Sequence, residues 1–141
     1  MSGFSDDERE AMKQRAAELR ASKGLKGAAK TAKELEDCMT AIDALEGLDR
    51  EIATLLHRVV MDVVPDLAPK TWYGFPTYAK DGKNIVFFQP AEKFKARYGT
   101  IGFDQNATLD EGPMWPAAYA VVEVNDAVEA ELRRLIAKAA Q

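Results

Sequence analysis

This sequence contains few side chains of the types that carry out chemistry. It has a single histidine, His57, and a single cysteine, Cys38. A metal site of the usual kind needs two or three nitrogen or sulfur ligands, which these two residues do not provide on their own. No Gly-x-Ser-x-Gly turn supplies a nucleophile for a serine–histidine triad. The sequence therefore predicts a protein without a catalytic site.

Both residues have a structural explanation in the predicted helices. Cys38 lies on an apolar stripe between Leu35 and Met39, so we expect it to be a small buried apolar side chain rather than a nucleophile. His57 falls about 140° from Ile52 around its helix, at roughly 100° per residue, and thus lies off the apolar stripe. We expect it to be partly exposed.

Carboxylates are the remaining candidates for metal ligands. Glu34 and Asp37 stand three residues apart, which places them on one face of a helix. A shared face would let both carboxylates contribute oxygen ligands to one metal ion. Acidic residues near a helix start also stabilise the helix dipole without any metal. Both interpretations stay open at the level of the sequence.

The most distinctive segment runs from Thr71 to Pro90. Its first half, Trp72–Tyr78, is rich in aromatic residues around one glycine and one proline, and the pattern predicts a single strand over 71–79 with Trp72 and Tyr78 on one face. Asp81-Gly82 then favours a two-residue type I′ hairpin turn, followed by a strand over 84–89.

This segment is also the best candidate for a binding site. Its aromatic side chains could line an apolar pocket rimmed by lysines, which would suit a small anionic or planar ligand. A buried aromatic core is the alternative interpretation. The candidate ligand-binding residues are Trp72, Tyr73, Phe75, Tyr78, Lys80, Lys83, Lys95 and Trp115.

Charge is distributed unevenly along the 141 residues. The chain has a net charge of -4 at pH 7, yet residues 70–98 hold six cations against two carboxylates. Cations and aromatic residues alternate over Lys93–Tyr98, a pattern found in proteins that bind single-stranded nucleic acids. The overall acidity nevertheless argues against a nucleic-acid partner. The lysines favour an anion instead.

Composition gives the class of protein. The 47% apolar and 30% charged content is that of an ordinary globular domain. The beginning of the sequence lacks an apolar signal-peptide core, and no apolar run is long enough to cross a membrane. A single cysteine forms no internal disulfide and fits a reducing compartment. We expect a cytoplasmic protein with no cofactor and no membrane contact.

Periodicity and capping residues predict the elements that must position these side chains. Ser5 with Glu8 and Thr31 with Glu34 form capping boxes, and Asp49 and Asn125 are candidate caps. The predicted helices cover 6–22, 32–46, 50–64 and 126–139. The predicted strands cover 71–79, 84–89, 98–103 and 116–124.

The order of these elements predicts an α+β fold. An antiparallel sheet of about four strands would pack with N-terminal helices and one C-terminal helix in a domain over 31–141. Residues 22–30, with two glycines and three lysines, are typical of a linker. We therefore predict a helical extension and linker over 1–30, which could serve a protein partner or a homodimer.

Residues 48–139 resemble the YdhG-like family of small intracellular domains. The resemblance rests on the bend Val64-Pro65-Asp66, the stretch Trp72–Tyr78, the turn Asp81-Gly82-Lys83 and the pair Phe87-Phe88. It implies a compact α+β fold and no defined set of catalytic residues. Some members of the family are described as frataxin-like iron chaperones.

Two hypotheses follow. The first is a small cytoplasmic binding domain, without catalysis, whose ligand or partner site is built on Trp72–Tyr78. The alternative is a frataxin-like iron chaperone that uses surface carboxylates, with Glu34 and Asp37 as the candidate ligands.

Overall fold

A computed structural model of the chain describes residues 5–22, 24 and 26–141; Lys23 and Leu25 of the predicted linker lie outside the described residues. The helices are α1 (Asp6–Ser22), α2 (Gly27–Asp43), α3 (Gly47–Val63) and α4 (Asp126–Ala139). The strands are β1 (Ala68–Trp72), β2 (Phe75–Lys80), β3 (Lys83–Gln89), β4 (Gly99–Phe103) and β5 (Ala118–Val121). A short 3₁₀ helix, Glu92–Phe94, links β3 to β4.

The strands form one antiparallel sheet in the order β1-β2-β3-β4-β5. Each strand pairs with its neighbour in the sequence, so the sheet is a meander that follows three helices and precedes the fourth. This arrangement confirms the predicted α+β class, with five strands instead of about four.

The additional strand arises from a turn inside the aromatic segment. Tyr73 and Gly74 have φ angles of 55° and 81°, and Trp72 pairs with Phe75 across them. Two successive residues with positive φ are the geometry of a type I′ hairpin. The prediction of one strand over 71–79 is therefore wrong, and Trp72 shares a face with Phe75 rather than with Tyr78.

The Asp81-Gly82 turn agrees with the prediction. Its two residues have φ angles of 51° and 80°, and Lys80 pairs with Lys83 across the turn. The short side chain of aspartate tolerates the left-handed region, and glycine enters it without steric cost. The second hairpin is thus determined by local sequence.

The predicted caps are present at the starts of α1 and α4. The Glu8 N–H donates to Ser5 Oγ at 3.1 Å, and the Ser5 N–H donates to the Glu8 carboxylate at 3.3 Å. The Val128 N–H donates to the Asn125 side chain at 2.9 Å. Both interactions satisfy main-chain donors that a helix start leaves without intrahelical partners.

Two other caps are wrong. Because α2 begins at Gly27, Thr31 lies inside the helix, where its hydroxyl donates to the Gly27 carbonyl at 3.2 Å. The linker predicted over 22–30 therefore ends before Gly27, and the predicted domain boundary at residue 30 falls within α2.

Asp49 does not cap α3, which follows Glu46. Its buried carboxylate accepts instead from the N–H groups of Ala91 and Glu92, at 3.0 Å each.

The main core lies between α2, α3, α4 and one face of the sheet, here called the helix face. Strand register places Tyr78, Val86, Phe88 and Ile101 on this face. These side chains are buried together with the inward stripes of the three helices. The helix residues of this core include Cys38, Ile42, Ile52, Leu56, Val59, Val60, Leu132, Leu135 and Ile136.

The opposite face of the sheet carries a separate aromatic cluster. It consists of Trp72, Tyr73, Phe75, Phe87 and Phe94, with ring centroids 4.8–6.3 Å apart. Phe87 lies over Gly102, where an ideal Cβ would come within 2.4 Å of its ring. β3 is thus apolar on both faces, as its run of apolar residues predicts.

Within the described ranges, no helix is both long and apolar enough to cross a membrane.

Candidate functional site

A cleft of about 500 Å³ lies where α1 and α2 meet the Tyr73-Gly74 turn. We call it the α1–α2 cleft. Its apolar walls are Ala17 of α1, Ala41 of α2, Ala44 and Leu45 just after α2, and Pro90. Its polar lining residues are Gln14, Glu18, Asp37, Thr40, Thr71 and Lys93. Apolar walls with a few polar groups are typical of small-molecule sites.

Lys93 is the cation of this cleft. Its Nζ donates to the Tyr73 carbonyl at 3.4 Å and lies 5.8 Å from the centre of the Phe75 ring. Burial lowers the pKa of the Lys93 ammonium, while Glu18 and Glu10 act in the opposite direction. Among the described residues, the contacts of the Lys93 ammonium are this carbonyl oxygen and this ring, neither of which carries a full negative charge. An incoming anion would therefore stabilise the ammonium.

The cleft carboxylates, in contrast, have close donors. Glu18 accepts from the Gly74 N–H at 2.9 Å and from the Arg15 guanidinium at 3.3 Å. Asp37 accepts from Lys33 at 2.8 Å. The negative charge of both carboxylates is thus countered by neighbouring groups, whereas Lys93 remains available to a ligand.

Gly74 allows the side chains of Lys93 and Gln14 to approach the Tyr73-Gly74 turn closely. A Cβ at this position would come within 2.3 Å of Lys93 Nζ and 3.1 Å of Gln14 Cγ. The positive φ of Gly74 also disfavours any other residue. Glycine is therefore suited to this position for two reasons, the turn conformation and the approach of the lysine.

Two of the predicted ligand-binding residues lie close to Lys93. The carbonyl of Tyr73 accepts from the ammonium, and the ring of Phe75 lies 5.8 Å from it. Trp72 packs against both residues in the aromatic cluster. Lys93 is not among the predicted ligand-binding residues, so this contact of aromatic residues with a lysine differs from the predicted one.

Tyr78 is placed elsewhere. It is fully buried on the helix face, with its hydroxyl 2.9 Å from His57 Nδ1 and 3.9 Å from Cys38 Sγ. The expected pocket shared by Trp72, Tyr78 and Trp115 is therefore wrong, because the turn at Tyr73-Gly74 puts Trp72 on the opposite face of the sheet from Tyr78.

The contacts among Tyr78, Cys38 and His57 give structural roles to the single cysteine and the single histidine. Cys38 is buried, as predicted, and burial raises the pKa of its thiol to about 11, so it is not a thiolate nucleophile. His57 is half-buried, and burial lowers the pKa of its imidazole. Neutral His57 can accept from the Tyr78 hydroxyl, which in turn accepts from the Cys38 thiol.

The other predicted ligand residues do not converge on one site. Lys80 Nζ donates to the Ala140 carbonyl at 3.0 Å. Lys83 is exposed beyond the Asp81-Gly82 turn. Lys95 is exposed, with its Nζ 3.9 Å from Asp7. Trp115 precedes β5 and lies beside residues of α4.

The candidate iron ligands both lie near lysines. Glu34 is 4.0 Å from Lys30, and Asp37 is 2.8 Å from Lys33. The described part of the chain contains no group of three or more histidine, cysteine, aspartate or glutamate residues placed to hold a metal ion. Iron binding by Glu34 and Asp37 stays a prediction.

Sequence reasoning missed the contribution of α1 to the site. Gln14 and Glu18 contact the Tyr73-Gly74 turn across more than fifty residues of sequence, and no local pattern indicates such a contact. Lys93 could have been found, because it belongs to the alternation of cations and aromatic residues over Lys93–Tyr98. That pattern indicated the correct segment but not the cleft.

In comparisons with known proteins, no family model, curated protein or solved structure matches this chain. The resemblance to the YdhG-like family therefore stays a prediction.

Proposed function

We propose that this protein is a cytoplasmic, non-catalytic binding domain of the YdhG-like kind, which holds a small anionic ligand with a planar apolar body in the α1–α2 cleft. Lys93 would bind the anionic group, and the apolar walls would contact the planar part. The supporting observation is the half-buried Lys93 ammonium, which contacts a carbonyl oxygen and an aromatic ring at the end of a cleft of about 500 Å³.

Several features support a binding role over a catalytic one. The only histidine and the only cysteine are hydrogen-bonded to Tyr78, on the opposite face of the sheet from the aromatic cluster. Glu18 accepts from the Gly74 N–H and Asp37 is paired with Lys33, contacts that suit structural roles more than proton transfer. The lone cysteine fits a reducing cytoplasm.

Calorimetric titration with naphthoate tests this proposal. Naphthoate combines a planar apolar body with one carboxylate, and naphthalenemethanol has a similar shape without the charge. We expect naphthoate to bind and the alcohol to bind at least about tenfold more weakly, because a charge-assisted hydrogen bond contributes about 1.5–3 kcal/mol.

Two lysine variants provide a matched comparison. Lys93→Met keeps the apolar stem and removes the charge, so it should weaken naphthoate binding by about ten- to a hundredfold. Lys95→Met removes an exposed ammonium two residues away and should leave binding within about twofold of the wild type. Equal affinity of the Lys93→Met variant and the wild type would refute the proposal.

A further inference from the structure

The sheet has a free edge at β5. The Phe103 N–H donates to the Ala117 carbonyl at 2.8 Å, which identifies these two residues as a hydrogen-bonded pair. Such pairs alternate along an antiparallel ladder. In the register of β4 with β5, the main-chain groups of Ala118 and Ala120 therefore point away from β4. No other described strand pairs with β5 on that side.

This edge is short, at four residues, but it lacks the charges that commonly prevent strands from pairing. From Gly112 to Val122 the sequence contains no charged residue. Ala118 and Ala120 are exposed, and Val122 is 67% exposed. Natural sheet edges commonly carry lysines or other inward-pointing charges that oppose the addition of another strand. The β5 edge is therefore suited to pair with a further strand.

An apolar groove runs beside the same edge. It encloses about 360 Å³ between β5 and α4, and Tyr119, Val128, Leu132 and Leu135 are among its lining residues. Side chains of a β-strand alternate between the two faces of a sheet. Every second side chain of a strand added to β5 would thus face α4, where the groove can receive apolar groups.

The charges at the groove indicate the kind of partner. The acidic or basic side chains among its lining residues are Glu123 and Glu131, both carboxylates. Glu131 is paired with Arg134, whereas Glu123 accepts from the neutral side chain of Asn125 at 2.7 Å. Glu123 lies two residues after the end of β5, so the carboxyl end of the edge favours a cation on the bound segment.

We propose that the β5 edge and its groove are a peptide-binding site. An extended segment of another protein adds to β5 as a further strand, places alternate apolar side chains in the groove, and sets a lysine or arginine against Glu123. The site lies apart from the α1–α2 cleft and is independent of small-ligand binding there. A second copy of the chain would pair through its own uncharged β5, which brings no cation for Glu123.

Fluorescence anisotropy with the full chain tests this site. The probe is a short fluorescein-labelled peptide of alternating valine and threonine with lysine at its amino end, which lies near Glu123 when the peptide adds antiparallel to β5. Ala120→Pro removes an outward N–H and leaves the ladder to β4 intact, so it should weaken binding by about tenfold or more. N-methylation of alternate peptide amides should have a similar effect.

Charge reversal provides a second variant that does not alter the strand. Glu123 is exposed, so Glu123→Lys should fold normally; thermal unfolding of both variants verifies this. The variant should bind the lysine peptide several-fold more weakly than the wild type does, and should prefer a matched peptide with glutamate at the same position.

Three results would overturn the proposal. The first is that wild-type protein does not bind the lysine peptide. The second is that the wild type and both variants bind it equally well. The third is a dimer in sedimentation velocity that Ala120→Pro converts to monomer, which would assign the edge to a second copy of the chain.

Discussion

At the scale of single residues, Lys93 gains its binding potential from partial burial. An exposed lysine such as Lys95 is hydrated by water and gains little from a bound anion. Lys93 has lost part of its hydration and contacts a carbonyl oxygen and the Phe75 ring. A ligand carboxylate would restore the lost stabilisation, and this is why we place the ligand anion at Lys93 and not at Lys80, Lys83 or Lys95.

His57 makes a second prediction at this scale. Because burial lowers the pKa of His57 in the folded state, the unfolded chain binds more protons as pH falls through the ordinary histidine range. The free energy of unfolding should therefore decrease from about pH 7.5 to about pH 5.5. Urea unfolding at several pH values measures this dependence.

His57→Gln is the control for that measurement. Glutamine can still accept from the Tyr78 hydroxyl but does not titrate, and the chain has no other histidine. Its unfolding free energy should change less over the same pH range than that of the wild type. Identical pH dependence in the two proteins would show that His57 is not the titrating group.

At the scale of elements, the two hairpin turns allow a matched comparison. Gly74 and Gly82 have nearly the same φ, 81° and 80°. A Cβ at Gly82 meets nothing within 4 Å, whereas one at Gly74 meets Lys93 and Gln14. The two positions thus share the same backbone strain and differ in their surroundings.

We therefore expect different results from the same substitution. Gly82→Ala and Gly74→Ala should each lose about 1–2 kcal/mol of stability from the left-handed conformation. Only Gly74→Ala should also displace Lys93 and weaken naphthoate binding. Thermal unfolding and calorimetry measure the two effects separately. Equal naphthoate affinity in both variants would contradict the assignment of the site to this turn.

The elements also show what the sequence could and could not predict. Helices with local signals, such as the capping box of Ser5 and Glu8, were predicted closely. The Tyr73-Gly74 turn was missed because a tyrosine with positive φ is uncommon, and a run of aromatic residues is typical of a continuous strand. Local sequence predicts Asp49 as the cap of α3. Its observed partners, the N–H groups of Ala91 and Glu92, are more than forty residues away and leave no local signal.

The site was less predictable than the fold for the same reason. Fold class follows from periodicity within each element, which is local. The α1–α2 cleft depends on contacts such as Gly74 with Glu18, which only the packed chain brings together. The sequence indicated the aromatic residues around Gly74, but it did not indicate the contact of Lys93 with this turn or α1 as a wall of the cleft.

At the scale of the whole molecule, α1 belongs to the site more than to the core. Among the described side chains of α1, Ala11 is the one buried apolar residue, and it is not part of the core cluster, which begins at Cys38. Gln14, Ala17 and Glu18 nevertheless line the cleft. The molecule therefore consists of a helix-covered sheet with a peripheral helix that closes one side of the α1–α2 cleft.

Deletion of residues 1–24 tests this division of roles. The shortened chain should still unfold cooperatively, because the described residues of the main core all lie outside α1. Its affinity for naphthoate should fall by about tenfold or more, since one wall of the cleft is lost. Urea unfolding and calorimetry measure the two outcomes. Loss of cooperative unfolding, or unchanged affinity, would contradict the role given to α1.

The most direct test of the central claim is a naphthoate titration of isotopically labelled protein followed by NMR. The account predicts that the largest amide shifts occur at Gly74, at Lys93 and along the cleft side of α2 around Thr40 and Ala44, and that Lys93→Met abolishes them. Shifts confined to other parts of the molecule, or the same shifts at the same concentrations in the Lys93→Met variant, would contradict it.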